Sequence, residues 1–170
     1  MPLSGTVLAV SAFADLTQAL DLGTSRTPQS LSRSMALASG TGAGKADRVF
    51  SDRRTLAASA TEDVDLAGTL LDAYGAAITF ARIKGIVIAA AAGNTNSVVV
   101  GNASSNAWAT LLGATSTVTL RPGAFLAVGT GTADATGYAV TAGTGDLLKI
   151  ANSGAGTSVA YDIHIIGASA

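Results

Sequence analysis

Reactive side chains are scarce in this sequence. Lysine and arginine together number 10, aspartate and glutamate 11, and histidine 1, with no cysteine at all. Disulfides, thiolate metal sites and sites built on several histidines are therefore excluded. The densest carboxylates, Glu62, Asp63, Asp65 and Asp72, have the chemistry for acid–base work or calcium binding. They lack the glycine-centred, ligand-rich loop that calcium needs. They read instead as a solvated edge, or as ion-pair partners for Arg48, Arg53, Arg54 or Arg82. His164 shares a strand face with Asp162, a pairing that could orient a serine, but no G-x-S-x-G elbow occurs and a surface or interface role is the better reading. Gly40–Ala46 (GTGAGKA) imitates a phosphate-binding loop and fails at both ends. Ser39 stands where the first glycine belongs, and Ala46 where a magnesium-binding hydroxyl belongs, so the segment reads as a flexible turn. Trp108, the single tryptophan, reads as core by default and as an interface anchor if exposed. No catalytic residue, metal site or cofactor is predicted.

Small residues supply most of the remaining chain, and only 12% of its 170 residues are charged. That is about half the ~25% of an ordinary soluble domain. A net charge of −1 argues against nucleic acid as a partner, because backbone binding needs a concentrated basic surface. Weak charge repulsion favours self-association, which suits a subunit packed against copies or partners. Arginine outnumbers lysine among the cations, favouring bidentate pairing in interfaces. The most apolar run, Gly85–Gly93, falls short of the ~20 residues a membrane helix requires. The first ten residues lack the basic segment of a signal peptide. A soluble protein without a membrane partner is expected.

Short strands must position these groups. Val64 and Leu66 alternate with Asp63 and Asp65, as in a half-buried strand. Ile78–Ala90 alternates and then turns apolar on both faces, as a strand entering the core would, with Gly85 a bend or bulge. Thr117–Leu120 and Ala124–Val128 flank Arg121-Pro122-Gly123 and are expected to form a hairpin. Further strands are predicted at Ser97–Val100, Tyr138–Thr141, Asp146–Ile150 and Ser158–Ile166. Recurring strands with glycine turns point to an all-β sandwich or barrel. Ala12–Leu22 and Leu66–Tyr74 are the only helical candidates, the second equally readable as a turn.

One domain accommodates this length. Residues 1–44 are expected to form an N-terminal arm with one or two strands, and residues 45–170 the β-sandwich. Asp21–Ser34 is polar, contains Pro28, and reads as an extended segment held only by its contacts. Val7–Phe13 and Met35–Leu37 are apolar enough to dock by strand addition. The predicted interface residues are Val7, Leu8, Val10, Phe13, Arg26, Arg33, Met35, Arg53, Arg54 and Trp108.

Whole segments carry a resemblance. Arg53–Gly68 (RRTLAASATEDVDLAG), Phe80–Lys84, Val118–Gly123 (VTLRPG), Thr136–Thr141 and the tail through Ile165-Ile166-Gly167 resemble small virion structural proteins of tailed bacteriophages. The likeness runs from about residue 45 to the C-terminus. It implies a non-enzymatic head decoration or cement protein, located on the virion, whose partner is the major capsid protein. Low charge and many small apolar side chains add an expected homo-oligomer, a trimer being preferred to a dimer. A tail or neck subunit and a carbohydrate-binding adhesin are the alternatives. Decoration modules often use jelly rolls, so the expected fold is a jelly-roll-like β-sandwich with an extended N-terminal arm.

Overall fold

A computed structural model describes residues 2–170. The strands are β1 (Thr6–Leu20), β2 (Gly23–Ser39), β3 (Lys45–Ala46), β4 (Arg48–Leu56), β5 (Thr61–Asp65), β6 (Leu70–Leu71), β7 (Ala77–Ile78), β8 (Arg82–Ala90) and β9 (Val98–Gly101). One helical turn, α1 (Ala109–Leu112), precedes β10 (Thr117–Leu120), β11 (Phe125–Gly129), β12 (Tyr138–Ala139), β13 (Leu147–Asn152) and β14 (Val159–Ala168). The protein is all-β.

Two antiparallel sheets form the body, one ordered β11-β8-β14-β4 with β12 added beside β8, the other β10-β9-β13-β5. The order is nested. The first body strand of the two sheets, β4, pairs with the last, β14, the next inward, β5, pairs with β13, β8 pairs with β11, and β9 with β10. The rolled ribbon closes when β14 also pairs with β8 and β13 with β9. Inward rows from both sheets fill the space between them. Ile86, Ile88, Tyr161, Ile163 and Ile165 from one sheet share the core with Val64, Val98, Val100 and Ile150 from the other, none more than 1% exposed. Alternation with period two puts these apolar residues on one side of each strand.

Polar residues pin the sandwich. The Tyr161 hydroxyl donates to Glu62 Oε1 at 2.6 Å, and Arg54 donates to Glu62 Oε2 at 2.7 Å and to Asp52 at 3.0 Å, which ties β5 of one sheet to β4 and β14 of the other. Burial and the Glu62 carboxylate together push the Tyr161 phenol well above its ordinary range. At one end, the buried Asn152 amide donates to Ala57 O at 2.9 Å and Thr157 O at 2.8 Å while accepting from Asn96 at 3.0 Å. Lys84 is 0% exposed and donates to Asp134 O at 2.7 Å. The backbone N–H groups of Gly137 and Thr136 hold the Asp134 carboxylate below its usual range, and burial lowers the Lys84 ammonium. The expected irregularity falls here: Gly85 pairs with Ile166 but Ile83 with Gly167, leaving Lys84 as the bulged residue.

Several expectations need correction. Ala12–Leu22 is not helical, because Ala12, Ala14, Leu16 and Leu20 pair across with Leu31, Gln29, Thr27 and Gly23 in a strand. The segment from Gly23 to Ser34 within Asp21–Ser34 is likewise strand, and Pro28 is accommodated opposite Asp15. Thr117–Leu120 and Phe125–Gly129 do not form a hairpin. The turn exists, with Ala124 N donating to Arg121 O at 2.8 Å and Gly123 at φ 77°, but it carries the chain from one sheet to the other. Leu66–Tyr74 resolves as turn and the short strand β6.

Candidate functional site

The feature of the molecule least explained by its own packing is the ribbon of β1 and β2. Fifteen residue pairs run in unbroken antiparallel register from Thr6↔Leu37 to Leu20↔Gly23, a length of about 50 Å at ~3.4 Å per residue. Every residue from Ala9 to Ser34 is exposed. Only the root is seated. Met35, Leu37, Ala46 and Ile166 form a small buried cluster apart from the main core, with Leu3, Leu8 and Val49 against it. The seat depends on two glycines facing each other in register, Gly129 on β11 and Gly85 on β8. A Cβ at Gly129 would lie 2.9 Å from Leu8 Cδ2, and one at Gly85 3.1 Å from Leu8 Cδ2 and 3.3 Å from Met35 Cε. Their bare backbone lets the ribbon's first turn of side chains lie flat on the sheet.

Beyond the seat the two faces differ. Leu8, Val10, Ala12, Ala14, Leu16 and Leu20 lie on the same face as Leu31, Met35 and Leu37, with Gln18, Ser25, Thr27, Gln29 and Arg33 among them. The other face carries Val7, Phe13, Ser11, Ser30, Ser32 and Ser34, with Arg26 donating to Asp15 in an ion pair. The apolar face thus continues outward, uncovered, from the cluster that seats the root. Both ribbon edges are also open for most of their length, since β2 pairs with β3 only through Ala38 and Ser39. Open edges offer unpaired N–H and C=O groups to a further strand.

Val7, Leu8, Val10, Phe13, Arg26, Arg33 and Met35, expected as interface residues, all fall on this ribbon. Their parts differ. Met35 is 5% exposed and serves the seat with Leu8. Val10 and Phe13 are exposed, on opposite faces. Arg53 and Arg54 lie on β4, on opposite sides of the body sheet. Arg53 grips Asp162 through two bonds of 2.6 and 2.8 Å, which hold that carboxylate below its usual range, while Arg54 belongs to the Glu62 network and stacks over Phe50 at 5.5 Å. Trp108 is 4% exposed, donates from Nε1 to Ala139 O at 2.8 Å and meets Tyr138 edge-on, so it is an internal anchor and not an interface residue of this surface. The carboxylates first weighed for chemistry hold loops and pairs: Asp65 accepts from Ala67 N, and Asp72 from Tyr74 N and Ala76 N. His164 sits outward on β14 between Ser51 and Val87, and partial shielding by these neighbours lowers its imidazole below the ordinary value.

Leu16, Leu20, Leu22 and Leu31, exposed on the ribbon, were missed by the sequence reading, as was Phe125 at the sheet edge. The signal was present: alternate residues from Leu8 to Leu16 are apolar, the period of a strand. No helix among the described residues is long and apolar enough to cross a membrane. Comparison with known protein families, curated proteins and solved structures finds no match to this chain.

Proposed function

We propose that this protein is a non-enzymatic structural subunit of a tailed-phage virion, a decoration protein that attaches to the assembled head through the β1–β2 ribbon. The observation that carries the reading is the ribbon: an apolar face and two open edges, held out from a body with its own complete core. A free monomer has no use for such an element. A subunit that bridges neighbouring capsid proteins does, because strand addition supplies affinity through main-chain hydrogen bonds. The phage-like segments all lie in the body, and the body's nested strand order supports a jelly-roll reading: a rolled antiparallel ribbon in which first pairs with last. Binding the assembled shell and not its dissociated subunits stabilises the shell by mass action.

The test is re-addition to particles lacking the protein. The full chain should saturate them and raise their resistance to heat. A chain without residues 1–30, retaining the body, should do neither. If the shortened chain binds and protects equally, the ribbon is not the attachment element. Binding confined to the neck or tail would replace head decoration with the tail-subunit reading.

A further inference from the structure

Something must cover the ribbon's apolar face. Val10, Leu16, Leu20 and Leu31 are 42%, 67%, 56% and 58% exposed and share that face. A two-stranded ribbon is marginal in water unless a third strand or a packed surface supports it. Taking the ribbon as the interaction element, as argued above, we propose that this face is covered by the same face of a second copy of the chain, the two ribbons lying antiparallel about a two-fold axis.

Charge selects the arrangement. Arg33, opposite Val10 near the body, donates only to the backbone oxygen of Ser32, and Asp21 lies in the turn at the far end. Neither has an ion-pair partner among the described residues. The two positions are separated by about 35 Å along the ribbon. Antiparallel overlap centred near Ala14–Leu16 brings each copy's Arg33 to the other's Asp21, twice. A parallel bundle, including the three-fold assembly preferred from sequence alone, would gather Arg33 with Arg33 and Asp21 with Asp21, which repel. The same centring sets Ala14 against Leu16 and Val10 against Leu20, so that small and large side chains interdigitate at Ala14.

Area sets the strength. An overlap about 35 Å long and ~10 Å wide covers roughly 350 Å² of each copy, less than half the ~800 Å² per partner of a standard interface and in the range of weak, transient association. A reversible dimer with a Kd in the micromolar range is therefore expected, not an obligate one. Packing by faces leaves both edges of each ribbon free, so pairing and attachment to a shell do not compete.

Sedimentation velocity on the full chain, free of particles, tests this. The wild type should show a monomer–dimer equilibrium between about 1 and 100 μM. Leu16→Glu with Leu31→Glu should weaken it at least tenfold. Arg33→Asp should weaken it, and Asp21→Arg added to Arg33→Asp should restore it. Phe13→Ser, on the opposite face, should leave it unchanged. A monomer throughout the range, a trimer, a dimer indifferent to the leucine or charge changes, or one lost with Phe13→Ser would each overturn the proposal. None of these outcomes involves a particle, so they leave the test of shell binding untouched.

Discussion

Truncating Met35 separates the ribbon from the body energetically. Its side chain is 5% exposed and completes the seat with Leu37, Ala46 and Ile166, while the main core forms a distinct cluster on the other side of the sheet. Met→Ala at a buried site costs about 2–4 kcal/mol. Because those lost contacts join ribbon to body, the loss should fall on docking of the ribbon and not on global unfolding. A loss of about 2.7 kcal/mol corresponds to roughly a 100-fold larger population with the root undocked. Native-state hydrogen exchange, on protein dilute enough to be monomeric, reads this directly. In Met35→Ala, protection at Thr6–Leu8 and Met35–Leu37 should drop about 100-fold, while β8 and β14 amides change less than about threefold. Val10→Ala, one step outward where the side chain no longer meets the body, should alter neither. A uniform loss of protection over β8, β14 and the ribbon alike would show one cooperative unit and refute the separation.

Three further outcomes follow from the body. Tyr161→Phe removes the hydroxyl that donates to the partly buried Glu62 carboxylate and should destabilise by about 1–2 kcal/mol in urea unfolding; an unchanged midpoint would show that this bond between the sheets contributes nothing. Asn152→Ala removes one donor each from the carbonyls of Ala57 and Thr157, which keep Ala60 N and the Asn96 amide as partners, and should cost about 1–2 kcal/mol by the same assay, an unchanged midpoint counting against that network. His164, lowered in the fold by shielding, takes up its proton at higher pH when unfolded. Stability should therefore decline as pH falls from above ~6.5 through the folded value, and His164→Gln should flatten that slope, equal slopes in the two proteins contradicting the assignment.

The body was legible because its strands carry their burial in the sequence. Val64 and Leu66 against Asp63 and Asp65, and the two-sided apolar run at Ile86–Ile88, announce half-buried and central strands, and the glycine at 85 announces the bulge beside it. Which strands pair was not legible. Arg121-Pro122-Gly123 builds the same turn whether it returns within a sheet or crosses between sheets, and only long-range pairing of Val118 with Val100 and of Leu126 with Ile88 decides. Ribbon residues were partly recognised, at Val7, Leu8, Val10, Phe13, Arg26, Arg33 and Met35, from their apolar or arginine character. Ala12–Leu22 was misassigned because alternating alanine and leucine satisfies helical spacing too, and intrinsic propensity favours helix for both residues. Its strand state comes from the partner, β2. Trp108 could not be placed by type alone, since an indole serves a core and an interface equally well.

Counting and locating the protein in purified virions tests the central claim most directly. A decoration subunit should be present in numbers comparable to the capsid protein, distributed over the head, and should leave the particle when residues 1–30 are removed. Absence from particles, or a few copies confined to the tail, would contradict the account.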